Sequence, residues 1–576
     1  MNVASKPSEP TLRKKFSILI IQLGGVDEVF RSLMALKAIK HLYPEMSLHV
    51  IVRKDVSAPV KRIEWLSSVI ETPSFKEGED PVKKVAVWID QVIHEQYDIL
   101  TNWTQSNRYA RMAAITATLI PAIIKFGDYL REDLSFGSYD AWSMYRQAWM
   151  RTPIEQDIHV IDVITTQLLT ALQIHAGDPH PDASSLAVTS KYFFKVVPEN
   201  HSSTWLARPK NLKWIAVHSR SVGERGSELV AMILKRHPDA GIVMVGETPC
   251  DWDTESNPRI INFTGNLHFD SLVQVLSQCV WMISGPGAIV DLASLINLRV
   301  LYLNSPQDSH SLKWTESGPY GNGHIALTFG DSFLPGVTYA TWSYFFSEWF
   351  HKNSFDIKTH FSNLGFADAI DQVQIYRSRI RPGNEGGGVC YENIFATPLN
   401  FETWMFRMRG QMARAWFCGW LPNVDLEIAK VKANPELMKR IRVAKDSVKV
   451  MSKLCLEGHA QADQLRITSD SIKTPHLMSI EDRDQIEEHG RKLLEIEALM
   501  SRVVQVEPEL DCFVKWYQQM MHNATGETIG QMAKETMHAF ELVNEGLDLI
   551  AIYAQKTLEL GKPKAVAQAK VIEIQK

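Results

Sequence analysis

From Phe16 onward, short continuous apolar runs alternate with stretches in which apolar positions recur every three or four residues. Continuous runs suit strands covered on both faces, and the 3.6-residue repeat suits the helices that cover them, so the alternation predicts βαβ units on a parallel sheet. Phe16-Ser-Ile-Leu-Ile-Ile-Gln22 predicts a first strand, Gly24-Gly25 a turn, and Leu33, Leu36, Ile39 and Leu42 one face of a helix. Leu48-His-Val-Ile-Val52, Tyr97-Asp-Ile-Leu-Thr-Asn102 and Ala122-Ile-Ile-Lys-Phe126 predict further strands, with helices over about 108–119 and 154–174. The Pro- and Ser-rich stretch 177–185 reads as a loop that closes this half. A second series follows, with strands at Lys213-Trp-Ile-Ala-Val-His218, Gly241-Ile-Val-Met-Val245, Val280-Trp-Met-Ile-Ser284 and Arg299-Val-Leu-Tyr-Leu303. Helices are expected over 224–236, over 269–278 and from the Gly285-Pro-Gly287 turn to Leu295.

Beyond about Arg379 long helices replace strands. Asn434-Pro-Glu reads as an N-cap followed by proline at the first helical position, and Leu437, Ile441, Ala444, Val448, Met451 and Cys455 then form one stripe. Ser479-Ile-Glu-Asp482 resembles a capping box. Ala533, Thr536, Phe540, Val543, Leu547, Ile550 and Ala554 make another stripe, ended by Gly561 and Pro563. The expected fold class is therefore α/β: two Rossmann-like parallel-sheet domains facing a cleft, with an all-α C-terminal bundle or coiled-coil-like hairpin. The expected divisions are a disordered polar N-terminus over 1–15, an N-terminal α/β domain over 16–185 and a second over 205–350. A linker with returning helices covers 351–430, and a helical domain covers 431–576.

Composition narrows what this architecture serves. Of 576 residues 45% are hydrophobic and 22% charged, which fits several packed cores and excludes a fibrous or wholly disordered chain. Lys and Arg number 61 against 66 Asp and Glu, a net charge of -5, so the chain lacks the basic footprint of a nucleic-acid binder. Six cysteines without CxxC spacing suggest a reducing compartment and no structural zinc. Met1 to Lys15 has no apolar core of the signal-peptide kind, and the longest uncharged stretch, Met112 to Ile124, is too short to span a bilayer. A cytoplasmic location is expected, at most peripheral to a membrane.

Three strand-to-helix turns could carry chemistry. Ile20-Ile-Gln-Leu-Gly-Gly-Val-Asp-Glu-Val-Phe30 places Gly24 and Gly25 where backbone approaches a ligand, and Asp27 and Glu28 where a carboxylate either caps the helix or stands at a cleft floor as general base. Ile283-Ser-Gly-Pro-Gly-Ala-Ile-Val-Asp-Leu-Ala293 offers Ser284, Gly285, Gly287 and Ala288, a turn whose N–H groups suit a diphosphate. Asp291, one helical turn on, could take a sugar hydroxyl. His218-Ser-Arg-Ser-Val-Gly-Glu-Arg-Gly226 supplies Arg220, Ser221 and Arg225, cations and a hydroxyl for a departing diphosphate, or else a solvated loop. Asp251-Trp-Asp253 imitates the DxD metal motif, but three residues are weak support, and no metal site is expected. The glycine run 383–388 reads as a linker.

Together these pieces resemble glycosyltransferase family 9, the ADP-heptose:lipopolysaccharide heptosyltransferases of GT-B fold. The family's opening R-L-G-x-L-G-D-V and A-L-(K/R)-x-(L/Y)-x-x-x-Y-P are similar to Gln22-Leu-Gly-Gly-Val-Asp-Glu-Val-Phe30 and Ala35-Leu-Lys-Ala-Ile-Lys-His-Leu-Tyr-Pro44. The family's catalytic aspartate falls on Glu28, and the glycine before it on Asp27. Phe263-Thr-Gly265 and Ser271-Leu-Val-Gln-Val-Leu-Ser-Gln-Cys279 resemble D-L-T-G and the helix after it, and Pro286-Gly-Ala-Ile-Val-Asp-Leu-Ala293 aligns with D-S-G-P-M-H-L-A. There the family's aspartate becomes Pro286 and its histidine Asp291, and its lysine-tryptophan pair is missing. The resemblance covers about 16–330. It implies an inverting, metal-independent transferase with Glu28 or Asp27 as base, no cofactor, and a nucleotide-diphosphate sugar as donor, ADP-heptose favoured. Glu247 is then a candidate for the ribose hydroxyls, and His324, in Gly318-Pro-Tyr-Gly-Asn-Gly-His324, for the loop over the donor. The implied acceptor is a glycolipid of lipopolysaccharide type, met at the inner face of the inner membrane with help from Arg13-Lys14-Lys15. Competing readings are a protein-glycosylating transferase, with the helical region organising a polypeptide acceptor or a homo-oligomer, and a non-catalytic sugar-nucleotide-binding scaffold.

Overall fold

The first apolar run becomes strand β1 (Ser17–Ile21), in which Ile18, Leu19, Ile20 and Ile21 are fully buried. In the computed structural model, residues 16–73, 80–93, 96–105, 108–150, 159–176, 205, 207–223, 226–250, 257–265, 267–304, 318–329, 373–380, 388–393, 404–405, 408–409, 412, 435–472 and 478–560 are described. The expected N-terminal segment 1–15, the loop 177–185 and most of the linker 351–430 lie outside these residues.

Helix α1 (Val26–Leu42) leads from β1 to β2 (Ser47–Val52), and α2 (Ser57–Val60) to β3 (Ser68–Glu71). Helix α3 (Pro81–Val92) precedes β4 (Tyr97–Asn102), and α4 (Ala110–Leu119) leads on to β5 (Ala122–Leu130) and β6 (Phe136–Ser138). These strands form one sheet in the order β3-β2-β1-β4-β5-β6, parallel except for the β5/β6 pair. Strands added after β1 build outward on one side, and β4 begins the other side. The order therefore reverses between β1 and β4, which opens a crevice at their carboxyl ends. Helix α5 (Ala141–Met150) and helix α6 (Val160–Ala176) follow.

The second sheet begins at β7 (Lys213–His218), which runs into the single turn α7 (Ser219–Val222) and helix α8 (Gly226–Arg236). Strands β8 (Ala240–Val245) and β9 (Ile260–Asn262), helix α9 (Phe269–Ser277), strand β10 (Trp281–Ser284), helix α10 (Ala288–Leu295), and strands β11 (Arg299–Asn304) and β12 (Ile325–Phe329) follow. The order is β14-β13-β12-β11-β10-β7-β8-β9, with its reversal between β7 and β10. The last two strands, β13 (Val373–Ile380) and β14 (Val389–Asn393), join antiparallel, so the sheet continues past the boundary expected at 350. In β13, Ile375 and Ser378 are buried and Arg377 is exposed. Although β13 is paired on both sides, it carries no continuous apolar run, and the cue that marks the other central strands misses it.

The chain divides into two compact units. One takes in Met1–Ser143, Ile158–Gly383 and Gly387–Phe395, and the other Met144–Asp157, Asn384–Gly386 and Ala396–Lys576. Both α/β halves therefore share the first unit, where α1 and α10 pack together. Phe30 of α1 stacks on Phe269 of α9 with ring centroids 5.9 Å apart. Asp162 on α6 accepts hydrogen bonds from the Tyr320 hydroxyl at 2.7 Å and the Val389 N–H at 3.0 Å. Each link runs between chain segments far apart in sequence, so the two sheets hold one another in place.

The second unit is helical, as its stripes predict. Helices α11 (Pro435–Ser471), α12 (Ile480–Val506), α13 (Asp511–Asn523) and α14 (Ile529–Leu560) enclose a core that buries every residue of the two stripes. Burying an aliphatic side chain contributes about 1.5–3 kcal/mol, so a stripe of this length holds α11 against α14. Ser479 and Asp482 form the expected reciprocal cap at the start of α12. Among the described residues no helix is long and apolar enough to cross a membrane.

Candidate functional site

At the reversal of the first sheet, Gln22 ties the ends of two strands to the second turn of α1. Its Nε2 donates to Ser32 Oγ at 2.7 Å and to the Trp103 carbonyl at 3.2 Å, and its Oε1 accepts from the Gly24 N–H at 3.1 Å. Thr104 Oγ1 accepts from the Leu23 N–H at 2.9 Å, while Asn102 Oδ1 holds the Thr104 N–H at 3.1 Å. Nearly all of these groups are buried and paired, so the floor of the crevice is fixed before any ligand arrives. Over it lies the half-buried side chain of Glu28. Its Oε2 accepts from the Gln105 N–H at 2.9 Å and lies 2.2 Å from where a Cβ on Gly24 would stand. Only glycine at 24 leaves room for that carboxylate.

Asp27 is occupied differently. Its Oδ2 accepts from Arg31 Nη2 at 3.0 Å, and Arg31 Nε donates to Asp291 Oδ2 at 3.1 Å. One guanidinium on α1 thus bridges a carboxylate of its own helix and one on α10. Asp291 is 1% exposed and its Oδ1 has no hydrogen-bond partner. Burial pushes its carboxyl up to about 7 against the pull of Arg31, and the nearby Asp27 pushes the same way. The same two carboxylates, with Glu28, hold Arg31 above its ordinary value despite its burial.

At the reversal of the second sheet, β7 ends in His218 and β10 in the buried Ser284. His218 Nδ1 lies 2.6 Å from Ser221 Oγ and 3.4 Å from Ser284 Oγ, and Ser284 Oγ donates to the Gly285 carbonyl at 2.9 Å. Gly285 fits closely against the Leu303 carbonyl and Ser221, whereas Gly287 has φ +143° and nothing within 4 Å of a notional Cβ. That turn is open where α10 begins. Arg220 is exposed beside His218, and Glu247 is exposed just past β8. Burial and Arg220 hold the His218 imidazole below the ordinary histidine range, with Glu247 opposing them.

The structure therefore gathers Gly24, Gly25, Asp27 and Glu28 at one reversal point and Arg220, Ser221, Glu247, Ser284, Gly285, Gly287 and Ala288 at the other, each at the carboxyl ends of its strands. It places two expected residues elsewhere. Asp291 is spent on Arg31 inside the contact between α1 and α10, with no face open to a sugar. His324 is 3% exposed, its Nδ1 accepts the Val300 N–H at 3.1 Å, and its ring also bonds the Tyr320 backbone; burial drops its pKa to about 4. This histidine braces the loop from inside. Arg225, Asp251 and Asp253 and most of the glycine run 383–388 lie outside the described residues.

Sequence reasoning missed Arg31, whose partner is 260 positions away, and the ring of His218. It also missed Arg53, which lies 4.2 Å over the Tyr109 ring and donates to the Leu23 carbonyl at 3.4 Å. A cavity of about 350 Å³ touching Cys279, Trp281, Asn297 and Arg299 lies at the opposite, amino end of β10 and β11.

No family model and no curated protein matches the chain. Among solved structures it is similar to the E. coli heptosyltransferase WaaC with ADP-2-deoxy-2-fluoro heptose, at 13% identity over 58% of this chain and 99% of that one, with a TM-score of 0.39. A glycosyl transferase family 9 protein from Veillonella parvula matches at 13% identity over 50% of this chain and 82% of that one, TM-score 0.35. A UDP-GlcNAc 2-epimerase from Neisseria meningitidis matches at 10% identity over 61% of this chain and 93% of that one, TM-score 0.31. At such values these likenesses carry no argument about family or activity. The fold rests on the two sheets described above.

Proposed function

We propose that the protein is a GT-B glycosyltransferase that moves a sugar from a nucleotide-diphosphate donor to an acceptor hydroxyl with inversion and without a metal. The sequence resemblance favours heptose as the sugar, ADP-heptose as the donor and a lipopolysaccharide-type glycolipid as the acceptor. The observation that carries the reading is the carboxylate of Glu28, held over Gly24 by the Gln105 N–H at the reversal point of the first sheet. Asp27 is tied to Arg31, and Glu28, over Gly24 at the strand ends, is the carboxylate assigned as base. In the proposed step the acceptor oxygen bonds to the anomeric carbon as the carbon–oxygen bond to the diphosphate breaks. The acceptor proton passes to Glu28, and the bonding electrons leave with the diphosphate oxygen. Arg220 and the turn from Ser284 to Ala288 take up the charge that develops there.

Two measurements test this. Nucleotide sugars with ADP, UDP and GDP leaving groups are screened by thermal shift, and transfer is followed as nucleotide diphosphate released. The wild type is expected to be stabilised by at least one donor and to turn over in EDTA. Glu28→Gln is expected to keep donor binding and lose about 10²–10⁴-fold in kcat, the range of a missing general base. No stabilisation by any donor, or full turnover in Glu28→Gln, refutes the proposal.

A further inference from the structure

His218 closes β7 at the reversal point of the second sheet, where a doubly wound sheet presents ligands to the ends of its strands. One edge of its ring is anchored, with Nδ1 against Ser221 and Ser284. The opposite edge faces β8, because Cδ2 lies 3.6 Å from a notional Cβ on Gly246. Ser284 Oγ donates to the Gly285 carbonyl, and Ser221 Oγ, 2.6 Å from Nδ1, serves the ring as donor or as acceptor according to the tautomer. Where Ser221 donates, Nδ1 is the acceptor and the neutral imidazole carries its proton on Nε2. Among the described residues Nε2 has no hydrogen-bond partner.

An imidazole anchored along one edge at a strand end, half-buried, with the exposed Arg220 beside it and the open Gly287 turn in the same sheet, suits an anion that approaches from the crevice once Nε2 carries the proton. We infer that the Nε2–H of His218 donates a hydrogen bond to the diphosphate of the donor nucleotide, making His218 a specificity-determining residue for diphosphate over monophosphate. Ser221 is its positioning residue, since it holds the ring edge-on. The inference rests on the transferase reading above and adds to it a group that reads the length of the phosphate chain.

The test is calorimetric titration of the full chain with ADP, UDP and GDP and with the matching monophosphates. Wild type is expected to bind at least one diphosphate more tightly than its monophosphate. His218→Ala is expected to lose about tenfold to a hundredfold in affinity for that diphosphate, the range of a hydrogen bond to a charged group, with the monophosphate changed by less than about twofold. His218→Gln, whose amide reaches the place of Nε2, is expected to recover most of the selectivity. His218→Asn, whose shorter amide reaches only the place of Nδ1, is expected to recover none. Should the alanine variant not fold, the glutamine and asparagine variants decide alone. Equal weakening of both nucleotides, no change in either, or equal selectivity in the glutamine and asparagine variants overturns the inference and leaves the transferase reading standing. Wild type that binds no nucleotide overturns the transferase reading itself.

Discussion

Removing the Arg31 guanidinium isolates a buried charge, and the cost follows from the geometry. Asp291 is 1% exposed and already has one oxygen without a partner; the other accepts from Arg31 at 3.1 Å. Arg31→Met keeps the side chain's bulk and strips Asp291 of its one recorded hydrogen bond. Breaking one side of a buried pair costs about 3–5 kcal/mol when the remaining group stays ionised. It does not stay ionised at every pH. The carboxyl is raised from 3.8 to about 7 in the folded protein, so the folded state holds a proton that the unfolded state has lost between those values. Stability contributed by the site therefore falls as pH rises through about 4 to 7, and deleting Arg31 extends that fall to higher pH. The variant should be only mildly destabilised at pH 5, where Asp291 is neutral, and severely at pH 8. Hydrogen exchange read by mass spectrometry over Val26–Leu42 and Trp281–Leu295 reports the first unit, with α11 to α14 as an internal reference. At pH 8 exchange there should accelerate roughly a hundredfold to a few thousandfold, the equivalent of that cost. Adding Asp291→Asn removes the buried charge and should restore most of the protection. Equal acceleration at pH 5 and pH 8, or losses that simply add in the double variant, refutes the reasoning.

Two more outcomes are expected. Gly24→Ala places a methyl 2.2 Å from Glu28 Oε2 and must displace the carboxylate, so kcat should fall by about 10²-fold in a steady-state assay while donor affinity holds. Gly458→Ala drives a Cβ to within 2.3 Å of the Phe540 ring, between α11 and α14, and should destabilise the helical unit by about 1–3 kcal/mol, seen as a lower urea midpoint of its far-ultraviolet transition.

The central strands were legible because burial on both faces favours apolar residues: β1, β7, β8 and β10 fall on apolar runs, and β4 was found from its Ile99-Leu100 centre although it also buries Thr101 and Asn102. The antiparallel strands β13 and β14 were not, because in β13 the exposed Arg377 and the half-buried Arg379 interrupt the run. The start of α12 was read from its capping Ser479, whereas α3, capped by Asp80, and α7, which follows His218 with no cap signal, passed unnoticed. The candidate site divides in the same way. Glycines and carboxylates in a strand-turn-helix are local features, and Asp27 and Glu28 were both read from them as candidates. Whether a polar residue faces a ligand or the interior is decided by partners distant in sequence. His324 sits among glycines like a loop residue, yet its ring is filled by the Val300 N–H and the Tyr320 backbone.

The same distance conceals a relation between two aspartates that stand where the sequence resemblance expects other residues. Aspartate stands at 27 where the resemblance expects glycine, and at 291 where it expects histidine. Taken singly, each argues against activity: one sets a second charge beside the base, and the other buries an acid near the donor turn. In the folded chain both carboxylates meet on Arg31, within 3.0 and 3.1 Å. The guanidinium neutralises the extra charge next to Glu28 and partners the acid that burial would otherwise strand. Glycine at 27 would leave Arg31 paired to Asp291 alone, and histidine at 291 would set a second basic group against Arg31 in a buried contact. The two aspartates are therefore linked through one guanidinium across the α1/α10 contact, and Glu28, which also acts on Arg31 through its charge, keeps its place over Gly24.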